Sequence, residues 1–209
     1  MDKGDKFNKP DEEMIILCQP DATKGCSVCC GLFNFRDISR ESLELFFQKG
    51  RERAACFSGY EDFDEVYEVR DKGSHICPYQ GFLSHGKPGC LLHPLYCGEE
   101  RRGRSLFSEK ICSGFLCPAH SLLSNDEKRA LVRFVNDWYL YSVAVFDPLF
   151  FSQVYKKSVA EFNIYSEEEM ISAFINEHLM KHAVKAADTE NVLFSYSVSE
   201  YSSVRLWQE

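Results

Sequence analysis

"CSVCCGLFNF", Cys26–Phe35, places three thiols within five positions, two of them adjacent. Four readings compete: disulfide partners, a redox pair, metal ligands, or small apolar residues in a core. The choice decides the fold. The segments around it, "DKGSH", "SHGKPGC" and "CGEERRGR", are dense in turn residues, so side chains alone do not readily build a core there. A metal joining distant thiols would supply the missing cohesion.

The compartment narrows the choice. The N-terminal "MDKGDKFNKPDEEMIILCQP" is polar and mixed in charge, with no apolar run of signal-peptide length. The longest aromatic-rich apolar run, "WYLYSVAVFDPLFF", is broken by Asp147-Pro148. It falls short of the roughly 20 residues that a spanning helix needs. We therefore expect a cytoplasmic protein with no membrane contact. In a reducing cytosol ten cysteines point to metal ligands rather than disulfides. A net charge of −8 argues against a nucleic-acid partner.

Nine of the ten cysteines fall between residues 26 and 120, and residues 121–209 hold none. Three zones follow: an N-terminal arm at 1–25, a cysteine-cluster metal-binding region at 26–120, and a helical region at 121–209 forming one domain with it. The arm leads into a short apolar segment, "MIILC". "DISRESLELFFQKGRERAACF" predicts a helix with capping oxygens at Ser39 and Ser42, weakened by Gly50. "FDEVYEVRD" reads as a short strand. "SNDE" is a capping box, Ser124 with Glu127, opening a helix to about Val145. Asp147-Pro148 starts a second helix to about Phe162. "SEEE", Ser166 with Glu169, starts a third, burying Met170, Ile171, Phe174, Ile175 and Leu179. "NVLFSYSVSE" and "SSVRLWQ" alternate as a closing strand or hairpin. The expected fold is α+β and α-rich: a loop-rich cysteine half packed on a three-helix C-terminal half, with a short strand or hairpin.

C-x2-C spacing lets the chain turn so that two sulfurs face one metal about 2.3 Å away. Backbone N–H groups of the turn support the thiolates, and Gly31 eases it by tolerating positive φ. Cys77, Cys90, Cys97, Cys112 and Cys117 follow in turn-flanked settings. Adjacent Cys29 and Cys30 diverge too far for a simple mononuclear site, and suit two metals or two corners of a cluster. Eight thiols complete two tetrahedral sites, and four complete one iron–sulfur cluster. Zinc and iron–sulfur chemistry are both compatible with thiolates.

The order C-x2-C-C, a cysteine before an apolar turn, "GC" with a Pro shortly after, and C-x4-C resembles a bacterial cysteine-cluster family described as zinc- or iron-chelating. The resemblance covers about residues 26–120. It implies that Cys26, Cys29, Cys30, Cys77, Cys90, Cys112 and Cys117 are ligands of a zinc or iron–sulfur centre, and it implies no established reaction. Where the family carries a basic residue before the Pro, this chain has Leu92-His93 before Pro94, then an insertion carrying Cys97. Cys97 and His93 therefore join the candidates.

Cys18 and Cys56 lie on apolar stretches and read as core residues. His120 in "CPAH" reads as a support for a ligand, and His75 and His85 as solvated. "EHLMKH" is not a zinc-protease motif, and its His178 and His182 read as a solvated helix face. "EERRGR" reads as a self-paired exposed loop. No catalytic motif is present; an enzymatic role would be that of an oxidoreductase. The expectation is a thiolate metal-binding protein. The alternatives are an iron–sulfur electron-transfer component and a zinc-stabilised module docking a protein partner.

Overall fold

A computed structural model describes residues 15–35, 37–55, 76–83 and 86–187. The strand expected at 63–71, the closing strand or hairpin of the tail, Cys56, His75 and His85 lie outside the described residues.

The protein is α+β and helix-rich, with one small antiparallel sheet among the described residues. Two 3₁₀ turns, Val28–Cys30 and Leu32–Asn34, lead to helix α1, Arg40–Ala55. Ser39 starts α1 as expected, its hydroxyl accepting from the Ser42 N–H at 3.4 Å. Strands β1 (Gln80–Phe82) and β2 (Pro88–Cys90) form a hairpin within the segment read as turns, with Gln80 opposite Cys90. Gly50, which weakens α1 in isolation, is required by this hairpin. A Cβ there would stand 2.1 Å from the Gln80 carbonyl oxygen, so only glycine admits β1 against α1.

Three short helices follow: α2 (Pro94–Cys97), α3 (Glu109–Gly114) and α4 (Ala119–Leu122). The C-terminal half contains α5 (Asn125–Phe134), α6 (Trp138–Phe146), α7 (Pro148–Glu161) and α8 (Glu168–Ala187). The Ser124–Glu127 capping box is present in both directions. The single helix expected from 124 to about 145 is instead two. Asp137 accepts from the N–H groups of Tyr139 and Leu140 at 3.1 and 2.9 Å, and so caps a new helix at the break. Asp147 likewise caps α7 by accepting from the Phe150 N–H at 3.0 Å, with Pro148 in the first turn.

Helix α6 is buried from Tyr139 through Val145, as a helix apolar on all sides must be. It forms the centre of the main core, with α7 and α8 packed on it. Ile171, Ile175 and Leu179 of α8 face this core, while Met170, expected inside, is 49% exposed. The core reaches back to Leu17, which is fully buried. Tyr141 donates its hydroxyl to the Leu17 carbonyl at 2.9 Å and ties the segment around Cys18 to α6. A second, smaller core lies under the hairpin and contains Cys77, Tyr79, Leu83, Leu91, Leu92 and Phe107.

His178 and His182, read as a solvated face, are half-buried. His182 stacks on Phe150 at 3.8 Å and places Nε2 3.1 Å from the Asp147 carboxylate. His178 Nδ1 lies 2.8 Å from the Phe174 carbonyl. No helix among the described residues is long and apolar enough to cross a membrane.

Candidate metal centre

The first cysteine segment folds as its spacing demands. Gly31 takes φ 83°, and its N–H closes the turn on the Val28 carbonyl at 3.0 Å. The Val28 N–H donates to Cys26 Sγ at 3.3 Å, a backbone contact that favours thiolate over thiol.

Backbone contacts bring the remaining segments to this turn. The Cys26 N–H donates to the Cys18 carbonyl at 2.9 Å. On the other side the Cys77 N–H donates to the Cys30 carbonyl at 2.9 Å. Gln80, completely buried, donates through Nε2 to the carbonyls of Cys30 and Cys77 at 2.9 and 2.8 Å. Pairing of β1 with β2 then sets Cys90 opposite Gln80. Arg102 donates to the Cys112 carbonyl at 3.0 Å, and the Ser105 hydroxyl lies 3.0 Å from Cys112 Sγ. Ser108, just before α3, sits at φ 85°, a region costly for serine. Its carbonyl accepts from the Cys112 N–H at 3.0 Å.

The product is a cavity of about 480 Å³. Seven cysteines line it: Cys18, Cys26, Cys29, Cys30, Cys77, Cys90 and Cys112, together with His93 and Arg102. Ile16, Leu95 and Leu116 also line it, and they are 38%, 81% and 38% exposed. Cys117 is not among the lining residues; it is buried beside the wall, and its carbonyl accepts from the His120 N–H at 2.9 Å.

Electrostatics record which thiols feel one another. Burial pushes the Cys117 thiol up to about 12, and the charge of Cys29 adds to this. Burial also raises Cys18 and Cys26, with Cys29 and Cys117 adding repulsion in both. Cys77 rises to about 11 and Cys90 to about 12, again mainly by burial. Cys29 is the exception: a hydrogen bond from the Cys30 thiol lowers it, and Cys30 rises correspondingly. His120 falls to about 4 through burial and the nearby Lys128, so it is a neutral imidazole. Its Nε2 accepts from the Leu17 N–H at 3.4 Å and lies 4.0 Å from Cys18 Sγ.

Two further candidates, Cys97 and His93, make hydrogen bonds of their own. Cys97 is not among the residues lining the cavity; its thiol donates to the carbonyls of His93 and Glu99 at 3.3 and 3.0 Å. His93 lines the cavity, but its Nδ1 caps α2 by accepting from the Leu95 N–H at 3.2 Å. Cys18, set aside in the sequence as a core residue, is the missed member of the wall. Its signal was the turn-forming "CQPD" that begins at it and returns the chain to Cys26. The basic loop is self-paired as read, Arg101 with Glu99 and Arg102 with Glu100, but the two arginines are half-buried rather than exposed.

Soft thiol donors around an open volume are the donor chemistry of a thiophilic metal group. Four sulfurs around one tetrahedral ion stand roughly 3.8 Å apart. Among the described residues no three Cys, His, Asp or Glu side chains are grouped to hold a metal ion. No family model, curated protein or solved structure matches the chain.

Proposed function

We propose that the protein is a thiolate metal protein whose cavity takes an iron–sulfur group in preference to a single zinc ion. The observation that carries this reading is seven cysteines around one cavity of about 480 Å³, more thiols than the four that one tetrahedral ion takes. A polynuclear core has its metal corners spread through space, so its ligands stand farther apart than those of one ion. The thiols supply soft donors, and the cavity wall supplies a low dielectric that favours a bound cation over free buried thiolates. When bound, such a group supplies one-electron chemistry, which makes electron transfer the reaction class.

The chain's own residues prepare the site. Gln80 fixes the backbones of Cys30 and Cys77. The Val28 N–H supports Cys26, and neutral His120 stands beside Cys18. A reducing, cytoplasmic setting accords with this reading, since the cavity requires free thiols.

A second reading, a zinc-stabilised module docking a protein partner, draws support from the exposed Ile16, Leu95 and Leu116 at the cavity. The spectrum of protein purified without oxygen separates the two. The iron–sulfur reading expects a brown preparation absorbing at about 400 nm, with colour and thermal stability falling together in Cys29→Ser and Cys30→Ser. A colourless, zinc-loaded wild type overturns it in favour of the second reading.

A further inference from the structure

We propose that the thiols divide into two four-sulfur centres, Cys18, Cys26, Cys29 and Cys117 on one side and Cys30, Cys77, Cys90 and Cys112 on the other, separated at the Cys29–Cys30 peptide bond. This deepens the metal-protein reading and rests on it.

The division follows the two cores. Cys77, Cys30, Cys90 and Cys112 all belong to or pack against the small core under the hairpin. Cys117 belongs to the main helical core, and Cys26 packs against it. Phe115 packs against both cores. The backbone follows the same division. Cys18 is bonded to Cys26, and its thiol lies beside His120, whose own N–H is bonded to the Cys117 carbonyl. Cys30 is bonded to Cys77, and Gln80, opposite Cys90, holds both. Cys29 lines the same cavity as members of both groups, precedes Cys30 in sequence, and is assigned to the first set as its fourth thiol.

Four thiolates are what one cubane cluster requires, so each set matches the ligand count of one cluster. Cys97 and His93 are then unnecessary, in agreement with their other hydrogen bonds. Because consecutive residues belong to different shells, the two centres are close neighbours.

The test compares metal content and sulfide per chain, with circular dichroism for folding. It uses full-length wild type, Cys18→Ser, Cys90→Ser, the double variant and Cys97→Ser, all purified without oxygen. The expected result is two centres in wild type and loss of half the metal in each single variant. The double variant loses essentially all, and Cys97→Ser loses none. Acid-labile sulfide accompanies the metal if the centres are clusters and is absent if they are zinc. A wild type with one centre, or a folded Cys18→Ser retaining full metal, overturns the division and leaves metal binding intact. Wild-type stoichiometry decides even if a variant fails to fold. A wild type that takes up no iron or zinc overturns the metal-protein reading itself.

Discussion

The backbone N–H of Cys77 donates to the carbonyl of Cys30 at 2.9 Å, joining the C-x2-C-C turn to the hairpin that carries Cys90. That bond is the point where a local motif becomes a cavity wall. Gln80 bonds the carbonyls of the same two residues from the side.

Replacing Gln80 by leucine removes both side-chain bonds and leaves the Cys77 carbonyl without that donor. We expect a loss of about 1–3 kcal/mol in stability, read by urea unfolding, together with lower metal content. An unchanged midpoint would show that Gln80 does not hold the wall.

Gly50→Ala tests the contact between α1 and the hairpin. Helix propensity alone favours alanine by about 1 kcal/mol. The Cβ would nevertheless stand 2.1 Å from the Gln80 carbonyl oxygen, a backbone atom that cannot rotate away. The expected result is a lowered melting temperature; a raised one contradicts the close approach.

Ser108→Gly tests strain at the cavity. Ser108 holds φ 85°. A serine in that region costs about 1–3 kcal/mol relative to a relaxed backbone, and glycine adopts it freely. Thermal unfolding should therefore move upward, less the greater entropy that glycine gives the unfolded chain. A fall in stability would mean that the Ser108 side chain contributes more than its backbone costs.

Glu127 sets an acid limit. Burial opposes its ionisation, but hydrogen bonds from Ser152 and Ser124, with Lys156 at 3.2 Å, bring its carboxyl down to about 2. A depressed carboxylate stabilises the fold above its ordinary value of 4.5, and that stability drains as pH falls towards 2. Unfolding free energy measured between those limits should fall more steeply in wild type than in Glu127→Gln. At neutral pH the variant should be weaker by roughly 2 kcal/mol. Parallel profiles would contradict the assignment.

Local signals were legible because they act within one turn. The Ser124–Glu127 box, Asp147-Pro148 and the positive φ at Gly31 involve only neighbours in sequence. The break at Asp137 was hidden, since the flanking apolar residues continue a helical pattern and only a side-chain cap interrupts it. The hairpin was hidden because its strands are three residues each and rich in Gly and Pro. The place of Cys18 in the cavity wall was hidden for a different reason. Its place at the cavity depends on Tyr141 holding Leu17, a contact between residues far apart in sequence. The thiol set could be gathered from spacing, but its division between two cores could not.

Iron, zinc and acid-labile sulfide analysis of the full-length protein, purified without oxygen, decides whether this is a polynuclear thiolate protein. Iron and sulfide are expected in equal amounts, about eight of each per chain if both centres are cubanes. Protein that is folded, fully reduced and free of iron after anaerobic reconstitution with iron and sulfide would contradict that reading.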